Sequence, residues 1–584
     1  MQFPNVYYDK AKKVHFYKGA ILPPELRIYK SEDFSLARWV EDEANGLVLP
    51  PQKASVTFSP KAHQKEGAKK IFKAYNDGWR GALLADKTGL GKTLTGLVSI
   101  SALAKQEGFG VKNKAKVLVV CPKGVIPQWR HTLRSYPISS ALLRTMVINY
   151  QQLNKLLVAP PQARVAKKTK TKNRQTASKG KPTIDWDFIV LDEAHMTKNY
   201  PTSEASLAAA SIAKLNQQYT KGKSPFVIFS TATPGATPLN FALMAGILAP
   251  LISSKPEAKK VTPDTWGEFL EREGFAVKRG KVNWAWAPLP FYGKNSDDPM
   301  ERARYEKALK ETKLKQRKDA QRIGKALGKA NAPFIMRSPK DLSGWPEQQF
   351  IAMPIELNAK QKPVYEEAWT RFRNWLRLTP AKSDPKGALV EMLRYRQKAS
   401  MLKVEQVAEQ IAEWVEGGNQ VYVSCEFIET IDQYRFALEK KGIVVAEISG
   451  RNSAIREDER LRFQKGEAQV CLCTVVAGIS LHSGESLPDG SKATSTPRIS
   501  VISDLRLNNL DSDQACGRAH RDGENSLTYF PYLTETIDEK VVFNFTNKQT
   551  NMKTMLGASQ NDAESLEQLF REAAAKTAKP NRLS

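Results

Sequence analysis

The chain has 584 residues, too many for a single core and enough for two to four domains. Its 41% hydrophobic content and mixed charges exclude a disordered chain, and 89 Lys and Arg against 61 Asp and Glu leave a net charge of +28, which favours a polyanionic partner such as nucleic acid. Five scattered cysteines without a C-x-x-C pair support neither a disulfide framework nor a zinc site, so a reducing compartment is expected.

The N-terminus, MQFPNVYYDKAKK, does not read as a signal peptide. Within it, 6–17 reads as two short strands around a polar turn. From about residue 60 a strand, turn and helix pattern repeats. Strand-like runs fall at 81–85, 116–121, 145–150, 187–193 and 226–231. Apolar runs spaced by helical stretches predict a parallel sheet with helices on both faces. The longest apolar stretch, 241–252, is broken by Pro250 and is shorter than the roughly 20 residues a membrane span needs; a buried helix is expected there. A second strand set falls at 420–425, 443–449, 469–476, 498–504 and 527–533, so two α/β lobes in series are expected. Two stretches interrupt the pattern. Residues 166–182 are basic, without acids or large apolar side chains, and are expected to form a disordered loop. Residues 301–330 are basic and helix-favouring, either a solvated helix or a basic protrusion near nucleic acid.

The stretch LLADKTGLGKTLTG at 83–96 nearly spells the phosphate-loop pattern G-x-x-x-x-G-K-[ST], with Asp86 where the first glycine belongs. A strand leads into it and a helix follows, the setting in which backbone N–H groups and a helix N-terminus hold phosphate oxygens. Asp86, Lys87, Thr88, Gly89, Leu90, Gly91, Lys92 and Thr93 are therefore read as the nucleotide cradle. Gly89 and Gly91 permit the tight path, Lys92 can reach the β- and γ-phosphates, and Thr93 can ligate magnesium. FIVLDEAH at 188–195 places acids at the C-terminal end of a buried strand. Asp192 can hold magnesium through water and Glu193 can orient the attacking water; the plainer reading is two acids capping a helix.

Here a resemblance becomes specific. A-D-K-T-G-L-G-K-T resembles the A-D-E-M-G-L-G-K-T of Swi/Snf-type ATPases, a branch of the superfamily-two helicases in which an aspartate regularly takes the missing glycine's place. In the family's order, HQKEG at 63–67 resembles its adenine motif, which implies that Gln64 reads the base. VLVVCPKGVIPQW (117–129) matches with Pro122 and Trp129 in place. DEAHMTKN (192–199) and STATPGATPLNF (230–241) follow. APFIMRSPKDL (332–342) with LNAKQKPVY (357–365) resembles the crossing between lobes. VYVSCEFIETID (421–432), ISGRNSAIREDERLRFQ (448–464), CTVVAGISLHSGES (473–486), QACGRAHRDGE (514–524) and TETIDEKVV (534–542) continue the match, which covers roughly 60–545.

The resemblance implies two tandem RecA-like parallel-sheet lobes with an ATP cleft between them. It divides the chain into an N-terminal accessory segment, 1–55; lobe one, 56–345, with a basic loop at 163–182 and a helical insertion at 295–330; lobe two, 346–548; and a helical tail, 549–584. It implies ATP and magnesium as cofactors. Arg518 and Arg521, one turn apart, are expected to reach across to the γ-phosphate, the alternative being two surface arginines on a helix. An arginine supplied in this way is worth roughly 10³–10⁵ in rate. His195 and Gln514 are expected at the same interface as coupling residues. Departures are His63 in place of tyrosine, DLRLNN (504–509) in place of D-x-x-W-N-P, and a polar insert at 483–498. The expected function is an ATP-dependent translocase on double-stranded DNA, acting as a cytoplasmic monomer with an unknown protein load. Branched or single-stranded DNA, strand separation, and a nucleic-acid-stimulated ATPase acting on a DNA-bound protein are the alternatives.

Overall fold

The computed structural model describes residues 6–9, 14–17, 59–87, 89–158, 181–232, 234–235, 237–279, 283–286, 298–337, 342, 348–378, 385–452, 455–474, 479–485, 487, 491–506, 509–520, 526–539 and 555. The chain divides into two units, Met1–Pro50 and Pro51–Ser584. In the first, β1 (Val6–Asp9) pairs antiparallel with β2 (Val14–Tyr17), as the alternation at 6–17 predicts.

The second unit holds two six-stranded sheets. Lobe one is built on β3 (Gly81–Leu84), β4 (Ala115–Cys121), β5 (Leu143–Asn149), β6 (Phe188–Asp192), β7 (Phe226–Ser230) and a short β8 (Phe334–Ile335). Its order is β8-β3-β7-β6-β4-β5, and every pairing is parallel. The strands read as continuous apolar runs because both faces are covered. Leu84, Val117, Val119, Phe188, Val190, Phe226 and Ile228 pack with Ile71, Tyr75, Leu97, Ile100 and Trp129 on one face. Leu83, Leu118, Val120, Ile189, Val227 and Phe229 of the other face are equally buried. Helices α1 (Ala62–Asn76), α2 (Lys92–Gln106) and α3 (Ile126–Ser135) supply the first cover.

Lobe two is built on β9 (Gln348–Ile355), β10 (Gln420–Ser424), β11 (Val445–Ile448), β12 (Val470–Cys473), β13 (Arg498–Ile502) and β14 (Ser526–Leu533). The order is β9-β14-β13-β10-β12-β11, again all parallel. Strands β8 and β9 are additions to the expected set. Pro354 argues against a strand at β9, yet β9 lies at the sheet edge, where a missing N–H is tolerated. Pro531 of β14 is tolerated for a related reason: its pairing with β13 ends at Tyr529.

The basic segment forms α4 (Pro299–Leu327). Its C-terminal half is not solvated all round. Ala320, Ile323 and Leu327 are buried, Asp319 accepts from Trp286 Nε1 at 3.0 Å, and the Arg322 guanidinium lies 4.0 Å from the Phe275 ring centroid. The polar insert of lobe two is tied down. Glu485 accepts from Arg460 Nη1 at 2.9 Å, and Thr494 donates its N–H to Gln464 O at 2.9 Å. Most of the loop at 163–182, the segment 1–55 and the tail at 549–584 lie outside the described residues. No described helix is long and apolar enough to cross a membrane.

Candidate active site

The loop after β3 reaches α2 through two left-handed glycines, Gly89 (φ 102°) and Gly91 (φ 74°). This path leaves the first N–H groups of a 15-residue helix without intrahelical partners at the loop. A side chain at Gly91 would be strained by the φ of 74° and would push Gln64 Nε2 aside, since a Cβ there would lie 2.2 Å from it. Gln64 is wholly engaged with this corner. Its Nε2 donates to Leu90 O at 3.4 Å and Gly91 O at 3.3 Å, and its Oε1 accepts from Lys61 N at 2.9 Å. His63 Nε2 lies 3.0 Å from Leu90 O. Gln64 and His63 thus brace the loop that the adenine motif adjoins. Lys92 Nζ donates to Asp86 O at 3.0 Å. Leu90 is buried, Thr93 is half-buried at the start of α2, and Thr88 lies outside the described residues.

Asp86 is fully buried, and its carboxylate is taken up by Arg337. Arg337 grips it, donating Nε to Oδ1 at 3.0 Å and Nη2 to Oδ2. Lys87 donates its N–H to Arg337 O at 2.9 Å. What Asp86 can offer a nucleotide is therefore its main chain. Arg337 is absent from the candidate residues read in the sequence. A buried aspartate calls for a cation, and that signal exists, but 251 positions separate the partners.

Asp192 ends β6, nearly buried, with both oxygens occupied. Trp129 Nε1 donates to Oδ2 at 2.7 Å, while Ser230 Oγ (2.9 Å) and Glu193 N (3.1 Å) donate to Oδ1. Tyr150 OH fixes the Asp192 carbonyl at 2.8 Å. Tyr150 and Ser230 are further site residues without a local signal of their own. Burial, with the Glu193 charge second, pushes the Asp192 carboxyl above its usual range, against the Trp129 and Ser230 hydrogen bonds and the Lys92 charge.

Glu193 sits in the left-handed region at φ 52°, a conformation costly for a residue with a Cβ. The turn aims its carboxylate at lobe two. Gln514 Nε2 donates to Glu193 Oε2 at 2.8 Å. His195 Nδ1 lies 3.4 Å from the same oxygen and 3.2 Å from Thr231 Oγ1. Burial alone would raise the Glu193 carboxyl, but His195, Lys92 and Arg518 outweigh it and hold it down at about 2.

On lobe two, Gln514 lies in α5 (Asn509–Cys516). The alternative of two surface arginines on a helix does not hold for Arg518. The helix stops at Cys516, before Gly517, whose residue type is a poor helix former, and Arg518 is 4% exposed. Its Nη1 donates to Ile479 O at 3.1 Å and its Nη2 to Gln514 Oε1 at 3.4 Å. Its Nε is buried with no hydrogen-bond partner. Burial lowers the Arg518 pKa, while the Glu193 carboxylate acts to raise it. Arg521 lies outside the described residues. Arg518, Gln514, Glu193, His195 and Thr231 therefore form one continuous chain of contacts across the two lobes.

The donor set fits a nucleotide triphosphate and a magnesium ion. Glycine-lined N–H groups and Lys92 suit phosphate oxygens, and the orphaned Arg518 Nε is a buried donor on a side chain that feels the Glu193 charge. Thr93 and Asp192 would hold the magnesium, which would draw charge from the β- and γ-phosphate oxygens.

Two parallel-sheet lobes, each of six strands, joined at such a cleft define a tandem RecA-like architecture. The SNF2-related domain matches residues 63–220, and the helicase conserved C-terminal domain matches 402–523. A mouse (Mus musculus) "DNA excision repair protein ERCC-6-like" is 30% identical over 177 residues, 29% of this chain and 13% of that protein. The chain thus spans a small part of that relative. "Protein CHROMATIN REMODELING 19" of Arabidopsis thaliana is 22% identical over 540 residues, covering 83% of this chain and 67% of the relative. A Sulfolobus solfataricus SWI2/SNF2 ATPase core in complex with dsDNA is 16% identical, with coverage of 90% and 98% and a TM-score of 0.29.

Proposed function

We propose that this chain hydrolyses ATP at the interface of its lobes and uses the cycle to move along duplex DNA. The observation that carries the reading is the Gln514 to Glu193 hydrogen bond, which puts a lobe-two side chain on the lobe-one carboxylate next to Asp192. In this reading Lys92 and the α2 N-terminus bind the phosphates, and Gln64 and His63 hold the loop beside the base. Glu193 orients the attacking water. Arg518 and Arg521 stabilise the charge that develops on the transferring phosphoryl group. His195 passes the state of Glu193 to Thr231. Such an arrangement is complete only when the lobes meet, so hydrolysis is tied to lobe movement.

The net charge of +28 favours a nucleic-acid track. Exposed Arg304, Lys307 and Lys310 on α4 offer cations for phosphates, which position a protein without reading bases. ATP turnover measured separately with duplex DNA, single-stranded DNA and RNA tests the reading. Strong stimulation by duplex DNA is expected, and stimulation by RNA alone contradicts it.

A further inference from the structure

Arg337 is placed at the exit from lobe one. It follows β8, and the first strand of lobe two, β9, begins at Gln348. Its main chain belongs to the lobe-one sheet: Ala85 donates to Ile335 O at 2.7 Å, and Lys87 donates to Arg337 O at 2.9 Å. Its guanidinium turns back into the nucleotide site. Besides the two-pronged grip on Asp86, Nη1 donates to the His63 carbonyl in α1. Room for this is built into α1, since a Cβ on Gly67 would lie 2.6 Å from Arg337 Nη2. One residue of the crossing segment thus holds the adenine-motif helix and two successive residues of the phosphate loop.

A route for coupling follows from these contacts. Lys92 Nζ holds the carbonyl of Asp86. Drawing Lys92 toward a phosphate alters what Asp86 holds on its main-chain side. The carboxylate of the same residue is locked to Arg337 by a planar fork that transmits orientation as well as charge. We infer that Arg337 is a positioning residue that links occupancy of the phosphate loop to the segment joining the lobes, and that Asp86 replaces the usual glycine in order to hold it. The inference rests on the proposed function of a two-lobed ATPase.

Two variants test it. Arg337→Lys keeps the charge and loses the fork. The pair Asp86→Gly with Arg337→Met removes both partners, so that neither is left as an uncompensated buried charge. Dyes on Val111→Cys and Phe436→Cys, exposed at 74% and 70% on lobes one and two, report inter-lobe distance, and the five native cysteines are buried. In the otherwise unaltered chain the dye signal is expected to change when a fluorescent ATP analogue binds, and an unchanged signal there overturns the inference. Both variants are expected to bind the analogue within about threefold of that affinity yet lose the signal change. Their kcat is expected to fall about tenfold with KM for ATP nearly unchanged. A folded variant that binds the analogue and gives the full signal change overturns the inference. So does a loss of nucleotide binding, or a pure rise in KM, which would make Arg337 a shaper of the loop alone. If the paired variant does not fold, Arg337→Lys decides the matter by the same readings. Absence of ATP hydrolysis in the unaltered chain would count against the proposed function, and the binding and dye signals would still test the coupling.

Discussion

Gln514 and Glu193 stand 321 residues apart in the chain and 2.8 Å apart in space. The bond joins a helix of one sheet to the strand end of the other. It accounts for two further features. Glu193 takes a left-handed backbone that turns its side chain toward lobe two, and Arg518 folds back onto Gln514 instead of facing solvent. Replacing Gln514 by Ala removes the donor to Glu193 and the acceptor of Arg518 Nη2 together. The expected result is a fall in kcat of about tenfold or more, with ATP affinity little changed, because in the proposed function the bond sits on the group that orients water and not on the phosphate cradle. Steady-state kinetics check this, and an unchanged kcat contradicts the assignment.

Trp129 is nearly fully buried, and its Nε1 donates to an aspartate that is itself 6% exposed. Trp129→Phe keeps an aromatic ring but withdraws a hydrogen bond from a buried carboxylate. A hydrogen bond to a charged group contributes about 1.5–3 kcal/mol, so an apparent destabilisation of that order is expected in urea unfolding. A loss under about 0.5 kcal/mol, as for an ordinary surface substitution, would show that Asp192 does not depend on it.

The Glu193 carboxyl lies at about 2, below its ordinary 4.5. A depressed value means that the ionised form favours the folded state. That contribution is present above the ordinary value and is lost as pH falls from 4.5 toward 2. Glu193 is therefore ionised throughout the neutral range. It is a weak proton acceptor before nucleotide binds, better suited to orienting water than to deprotonating it in the ground state. The profile of kcat between about pH 5.5 and 8 should show no acid limb belonging to this group. An acid limb in that range that moves on Glu193→Asp contradicts the account. Glu193→Gln is expected to retain ATP binding and stop turnover.

The two lobes were legible in the sequence because both sheets are buried on both faces, and strands such as β4 and β6 therefore appear as unbroken apolar runs. The edge strands were not. Phe334–Ile335 is two residues long, and Gln348–Ile355 carries a proline, so neither has the signature of a buried strand. Within the site, the glycines and Lys92 could be read from local spacing. The partners of the charged groups could not. Asp86 with Arg337, Trp129 with Asp192 and Gln514 with Glu193 are each long-range pairs, and a pattern confined to neighbouring residues carries no information about which distant side chain will neutralise a buried charge. The fate of Arg518 was hidden for a different reason: its burial depends on where α5 ends, and helix ends are the least determined feature of a sequence pattern.

The central claim is that ATP turnover at this inter-lobe site drives movement along a duplex. Displacement of a third strand from a DNA triplex tests it most directly, run beside a forked duplex of the same length on a native gel. The account predicts that ATP drives release of the third strand, that Glu193→Gln abolishes the release, and that the fork is unwound poorly or not at all. Efficient unwinding of the fork with the triplex left intact would contradict it and make the chain a strand-separating helicase.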